Sequence, residues 1–168
     1  MELKNTYTSR EVASMTGLTA RQLQWWDARR LFASHIASKK TQRGGYTERR
    51  YTPVDLLELL VLADLRRQGL SVAQLRRLLE TLRDQFRVRL FETIGGGGPI
   101  TLMTDGQDVY GRTSEGDLFN LLRDPQQPML MLDEVEGLRE LTPQSARGRR
   151  RKLKSKPRTP RRRSPAAE

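Results

Sequence analysis

Apolar positions recur at three- and four-residue spacing through the first half of the chain, and the period changes in the second half. Thr8-Ser9-Arg10-Glu11 fits a capping box, in which the Glu11 side chain reaches back to the cap backbone, so a helix is predicted to begin there. Val12, Ala13 and Met15 give it an apolar surface, and Gly17 stops it, because glycine takes a left-handed backbone cheaply. Leu18 follows as a buried plug and Thr19 caps a second helix over about residues 20–30. Leu23, Trp26 and the stem of Arg30 share one face of that helix, and Arg21, Gln22 and Gln24 occupy much of the remainder. Two short helices joined by a tight glycine turn make a helix-turn-helix pattern.

From His35 to Thr52 the periodicity lapses. SKKTQRGGYTERRYT, with two adjacent glycines between cationic flanks, reads as a β-ribbon with Gly44-Gly45 near its tip. Pro53 suits the first turn of a third helix, whose broad apolar face runs from Leu56 to Leu65. Gln68-Gly69-Leu70-Ser71 closes it and caps a fourth, striped by Leu75, Leu78, Leu79, Leu82 and Phe86. Beyond that, Val88, Leu90 and Phe91 suggest a strand, Gly95–Gly98 a flexible loop, and Ile100–Thr104 with Asp108–Thr113 a hairpin turning at Asp105-Gly106 through a type I′ turn. A short helix or turn is predicted over Asp117–Leu122, a strand over Pro128–Leu132 and a helix over Glu134–Leu141. The expected fold class is therefore α+β. A mostly helical winged helix-turn-helix domain (1–86) is followed by a small strand-rich module (87–142) and a disordered basic tail (143–168).

Charge sharpens this division. The net charge is +11, but residues 144–168 hold eleven Lys or Arg against one Glu, leaving twenty basic and nineteen acidic residues in the first 143. The high pI thus belongs to the tail, and any argument for nucleic acid has to come from the arrangement of the folded part. With no cysteine and one histidine, disulfides, thiolate sites and imidazole-built zinc sites are not expected. No apolar stretch reaches membrane-spanning length and the N-terminus lacks a signal-like apolar run, so the expected location is the cytoplasm, on the nucleoid.

The residues Tyr7-Thr8-Ser9-Arg10-Glu11-Val12-Ala13, Gly17-Leu18-Thr19, Leu23-Gln24-Trp25-Trp26-Asp27, Leu31, Gly45-Tyr46, Arg50-Tyr51-Thr52, Asp55-Leu56 and Leu65-Arg66-Arg67-Gln68-Gly69-Leu70-Ser71 together resemble the MerR family of bacterial transcription regulators, over roughly residues 5–85. The resemblance implies a winged helix that binds pseudo-palindromic double-stranded DNA as a homodimer. It also implies action on RNA polymerase through twisted or bent promoter DNA. Gln24 stands where the family commonly carries an arginine at the DNA, and the ribbon holds extra residues between Gly45-Tyr46 and Arg50-Tyr51. The family's long dimerisation helix is not obvious after Phe86.

Candidate DNA contacts follow from the pattern. Arg21 and Gln22 are of the types that read guanine and adenine in a major groove, and an ordinary solvated helix face would look the same. Thr8, Thr19, Gln24 and Trp25 complete the candidate helix-borne set; Trp25 either presses its indole on the sugar-phosphate backbone or packs against the ribbon. Lys39, Lys40, Arg43, Tyr46, Arg49, Arg50 and Tyr51 are the ribbon candidates, with Arg50 favoured as the wing arginine by the Arg-Tyr-Thr order. Trp26 is read as core and His35 as a surface or ribbon-base residue. Gly95–Gly98 lacks the Lys-Ser/Thr of a nucleotide loop, and Asp133, Glu134 and Glu136 have no catalytic partners. No catalytic residue, metal ligand or cofactor is expected. The reading is a sequence-specific regulator. A DNA-bending, excisionase-like accessory protein is the alternative; a nucleic-acid-modifying enzyme would need a catalytic constellation that residues 87–142 do not offer.

Overall fold

A computed structural model describes residues 4–36, 39–40, 47–129 and 137–143. It shows an α+β protein with four helices and, in its second half, a five-stranded antiparallel sheet. The first half runs β1 (Tyr7–Thr8), α1 (Ser9–Thr16), α2 (Ala20–Ala28), β2 (Lys39–Lys40), β3 (Thr47–Glu48), β4 (Arg50–Tyr51), α3 (Pro53–Arg67) and α4 (Val72–Asp84). Each helix opens on the residue its sequence provides. Thr8, Thr19, Thr52 and Ser71 are all caps, and in every case the side chain three residues on returns the bond, as a capping box requires.

Helix α3 is the central post. Every residue from Leu56 to Leu65 except Leu57 is buried, among them Glu58 and Asp64. Such burial on all sides explains why its apolar positions make a broad band instead of a narrow stripe. Helix α4 is the amphipathic contrast: Leu75, Leu78 and Leu82 face inward, with Leu79 and Phe86 packed at the margin.

The second half is a 3₁₀ turn (Leu90–Thr93) followed by β5 (Ile100–Thr104), β6 (Val109–Thr113), β7 (Leu118–Asn120), β8 (Asp124–Met129) and β9 (Arg139–Glu140), in the sheet order β8-β7-β6-β5-β9. Its buried face continues the helical core. Ile100, Leu102, Val109, Leu121 and Leu141 join one apolar cluster with Leu59, Leu62 and Leu75, and Phe119 meets Phe86 edge-on with ring centroids 5.6 Å apart. Two exposed polar bonds sit beside this contact: Arg77 donates to the Arg123 carbonyl at 3.4 Å, and Gln85 to that of Pro125.

Several expectations for this half are corrected. The segment Val88–Phe91 is no strand, because Glu58 captures the Phe91 N–H at 3.2 Å and the Arg89 guanidinium at 3.1 Å, winding the chain around a buried carboxylate. The β5–β6 connection is not a two-residue type I′ turn. Thr104 pairs with Val109, leaving four residues between them, and of Asp105 and Gly106 only the glycine has positive φ. The Asp105 carboxylate fills the loop instead, accepting from the Gln107 and Asp108 N–H groups at 2.8 Å each and from the Tyr110 hydroxyl at 2.9 Å. Burial first, then this bond to Asp105, pushes the Tyr110 phenol up to about 12.

Where a short helix or turn was expected, Leu118–Asn120 is a strand, drawn into register by β6. Strand β8 begins four residues earlier than Pro128, and tolerates Pro125 and Pro128 because it is an edge. Arg139–Glu140, expected to be helical, pairs with β5. Leu130–Leu132, Asp133, Glu134, Glu136 and the tail lie outside the described residues.

Candidate nucleic-acid interface

The helix-turn-helix is held by short-range bonds that the sequence supplies in order. Thr8 caps α1, its N–H bonded to Glu11 at 2.8 Å. Lys4 at 2.6 Å, together with these Thr8 bonds, lowers the Glu11 carboxyl to about 2. Gly17, with φ 77°, ends the helix and donates to the Ala13 carbonyl at 2.9 Å. The Thr16 hydroxyl donates back to Val12 at 2.8 Å and accepts from the Leu18 N–H at 3.2 Å, which directs Leu18 into the core. Arg67 reaches from α3 to the Thr16 carbonyl at 2.6 Å, fixing the turn against the central helix.

Helix α2 then presents two faces. Leu23 and Trp26 are each 3% exposed and anchor it, while Arg21, Gln22, Gln24 and Trp25 all face solvent. Trp25 is 43% exposed, an unusual state for a large apolar ring, and Arg29 stacks over it at 5.3 Å. Gln22 is partly committed: its amide oxygen holds the Thr19 N–H at 2.8 Å, leaving its NH₂ group as the outward donor. The Thr19 hydroxyl accepts from the Gln22 N–H at 3.1 Å and keeps its own proton to donate.

The ribbon joins this face. Strands β2 and β3 pair with Lys39 opposite Glu48 and Lys40 opposite Thr47, and β4 pairs with β1 so that Arg50 lies opposite Thr8 and Tyr51 opposite Tyr7. Arg49 bonds Asp27 on α2 at 2.6 Å, a direct tie between ribbon and helix. Ser34 donates to the Arg50 carbonyl. His35 bonds the fully buried Asp55, which also accepts the Thr52 N–H at 2.8 Å, so the ribbon base and the start of α3 share one carboxylate. Tyr51 is 2% exposed with its hydroxyl on Ser9, and burial raises its phenol; its ring supports the ribbon from beneath.

The structure therefore brings Thr8, Thr19, Arg21, Gln22, Gln24, Trp25, Arg49 and Arg50 onto α1, α2 and the ribbon stem. Lys39 and Lys40 are placed by their backbone alone, and Arg43 and Tyr46 lie outside the described residues. Sequence reasoning missed Asp27 as the ribbon anchor, although an acid on an otherwise cationic and neutral helix was a readable signal. It also missed Arg76, which crosses from α4 to the Arg29 carbonyl at 3.0 Å and adds charge to the C-terminal end of α2; no spacing rule links those positions. Among the described residues there is no group of three or more side chains suited to a metal ion, and no helix is long and apolar enough to cross a membrane.

With this geometry in place, comparison with known families is decisive for the first half. The model for the MerR HTH family regulatory protein matches residues 7–82. Residues 7–82 are thus similar to the helix-turn-helix domain of the MerR family. Over 120 residues the chain is also 28% identical to uncharacterized HTH-type transcriptional regulators of Mycobacterium bovis and Mycobacterium tuberculosis, an alignment covering 71% of this chain and 49% of each relative. The chain thus spans about half the length of the curated relatives it matches. The MerR-type match ends at α4, two residues before that helix does, and the five-stranded sheet lies wholly outside it.

Proposed function

We propose that the chain is a sequence-specific double-stranded DNA-binding regulator of transcription, acting as a homodimer on a pseudo-palindromic promoter site. RNA polymerase is then affected through the promoter DNA. One observation carries the reading: α2 is anchored by Leu23 and Trp26 while Arg21, Gln22, Gln24 and Trp25 are exposed on its outer face, beside a ribbon tied to it by Asp27–Arg49. A major groove admits one such helix, and a polar outer face is what base edges require. In this reading Arg21 is the principal base reader, because a guanidinium suits guanine and is not consumed by a cap. Gln22 donates its amide nitrogen, Gln24 extends the reading face, and Trp25, Thr8 and Thr19 position the backbone. Lys39, Lys40, Arg43, Tyr46 and Arg50 on the ribbon meet phosphates or the minor groove, with Arg49 and Tyr51 holding it in place. Residues 87–142 would serve in dimerisation or in sensing, with dimerisation preferred because the described sheet ends on strands β8 and β9, which a two-fold mate could pair with.

The test is selection of binding sites from random duplexes, followed by titration of the selected duplex and a scrambled one at two salt concentrations. The expected result is a preference of roughly ten- to a thousandfold that survives the higher salt, because non-specific binding collapses there. Arg21→Ala should cost roughly tenfold or more on the selected duplex, about 1–3 kcal/mol, and much less on the scrambled one. Equal losses on both duplexes would remove Arg21 as a base reader, and failure to select any site would overturn the reading.

A further inference from the structure

A residue with left-handed backbone follows each of the four helices, glycine in two cases and arginine in two. Helices α1 and α3 close through left-handed glycines, Gly17 (φ 77°) and Gly69 (φ 107°). Helices α2 and α4 close through left-handed arginines, Arg30 (φ 54°) and Arg87 (φ 58°). Past Arg30 the Leu31 N–H returns to the Trp26 carbonyl, five residues back, at 2.9 Å; past Arg87 the Val88 N–H returns to that of Leu82, six residues back, at 3.1 Å. A residue with a Cβ is strained in this conformation where glycine is not, so an arginine there is a local defect that calls for another role.

The two arginines differ in their surroundings. Arg87 lies near Asp84, whose carboxyl is lowered first by its bond to Arg83 and also by the charge of Arg87. Arg30 is exposed, and among the described residues no ion pair holds its guanidinium. The acid nearest to it in sequence, Asp27, is bound to Arg49 at 2.6 Å. Its neighbours are cations: Arg29, stacked on Trp25, and Arg76, bonded to the Arg29 carbonyl. Cations at a helix C-terminus do favour the helix dipole, but Arg29 supplies that effect one residue earlier without strain.

We infer that Arg30 is a phosphate-binding residue for duplex DNA, gripping the backbone at the rim of the groove whose floor α2 reads. The inference rests on the proposed function. Helix α2 has nine residues, so it is about 13 Å long, comparable with the roughly 12 Å width of a major groove. A helix whose N-terminal turn reads bases therefore carries its far end to the phosphates. A bare helix C-terminus would repel them; the charges of Arg29, Arg30 and Arg76 reverse the sign of that end.

The experiment compares wild type, Arg30→Gly and Arg30→Lys on the selected and scrambled duplexes across a salt series, with thermal melting of each protein. Glycine suits the backbone, so Arg30→Gly should melt no lower than wild type and about 2–4 °C higher if the strain is relieved in full. It should bind both duplexes several-fold more weakly, with the slope of log K against log salt reduced by about one and the preference between duplexes unchanged. Arg30→Lys keeps a charge for the phosphate and should keep the slope. An unchanged slope in Arg30→Gly, a slope lost equally in Arg30→Lys, or a lowered melting temperature in Arg30→Gly would each overturn the inference. A wild-type protein that bound no duplex would instead bring down the reading beneath it.

Discussion

At the scale of single residues, the proposed interface depends on side chains that act through others. Asp27 is committed to Arg49, and this bond at 2.6 Å joins α2 to the ribbon. Both side chains are between a quarter and a third exposed, so water screens much of the attraction. Asp27→Ala and Arg49→Ala should therefore each lower stability by less than about 1 kcal/mol. Their effect on DNA affinity should be larger than on folding, because a ribbon freed from α2 must be ordered again at each binding event. A double-mutant cycle separates this from direct contact. If Asp27 acts only through Arg49, Asp27→Ala should cost nothing further once Arg49 is alanine. A full, additive cost in the double variant would mean that Asp27 has another task. Gln22 shows the complementary point, since a side chain that caps its own helix through one atom can present only the other outward.

At the scale of elements, local chemistry was legible where one segment settles its own structure. The capping box at Thr8, the caps at Thr19 and Ser71, the stop at Gly17 and the leucine stripe of α4 are short-range features, and the helices begin where those residues place them. Trp26 in the core was legible for the same reason; His35, read as a surface or ribbon-base residue, is half exposed and bonds Asp55 twenty residues on. Segments whose partner is distant in sequence were not legible. Val88–Phe91 has strand-like residues but is wound around Glu58, thirty-one residues before Arg89, and Leu118–Asn120 becomes a strand only because β6 is waiting. Glu58 thus ties α3 to the 3₁₀ turn that leads into the sheet. It is 5% exposed, and both carboxylate oxygens are engaged, by the Arg89 guanidinium and by the Phe91 N–H. Glu58→Gln keeps the shape, removes the charge and leaves one of those bonds facing an NH₂ group. It should cost about 1–3 kcal/mol in denaturant unfolding, as expected for a buried charge-assisted pair. Arg89, 43% exposed on its side chain, can turn to water when Glu58 is changed, whereas Arg89→Ala leaves the buried Glu58 carboxylate without its cation, so Arg89→Ala should cost more than Glu58→Gln. The reverse order would mean that the Phe91 N–H and the packing of Glu58 matter more than the charge pair.

At the scale of the whole molecule, charge and structure are divided between different parts of the chain. The first 143 residues carry twenty basic and nineteen acidic side chains, but residues 1–86 hold fifteen basic against nine acidic and residues 87–143 five against ten. The part that carries α2 therefore has a modest positive charge beside the strongly basic 144–168. The eleven basic residues of 144–168 contain no ordered pattern of base-reading types, but each can release counterions from a duplex. If the folded part discriminates and the tail attracts, the two contributions separate cleanly in a salt titration. Removal of residues 144–168 should weaken binding to the selected and scrambled duplexes by the same factor. It should also flatten the salt dependence by about 0.9 for every phosphate the tail had neutralised, several units if most of the tail engages. The ratio of the two affinities should stay where it was, because in the proposed function that ratio is set by Arg21 and its neighbours on α2. A tail deletion that left the slope untouched would mean the tail engages something other than phosphate. One that lowered the ratio would mean the tail reaches base edges or holds the reading helix in place, and the division of labour argued from the charge distribution would be wrong.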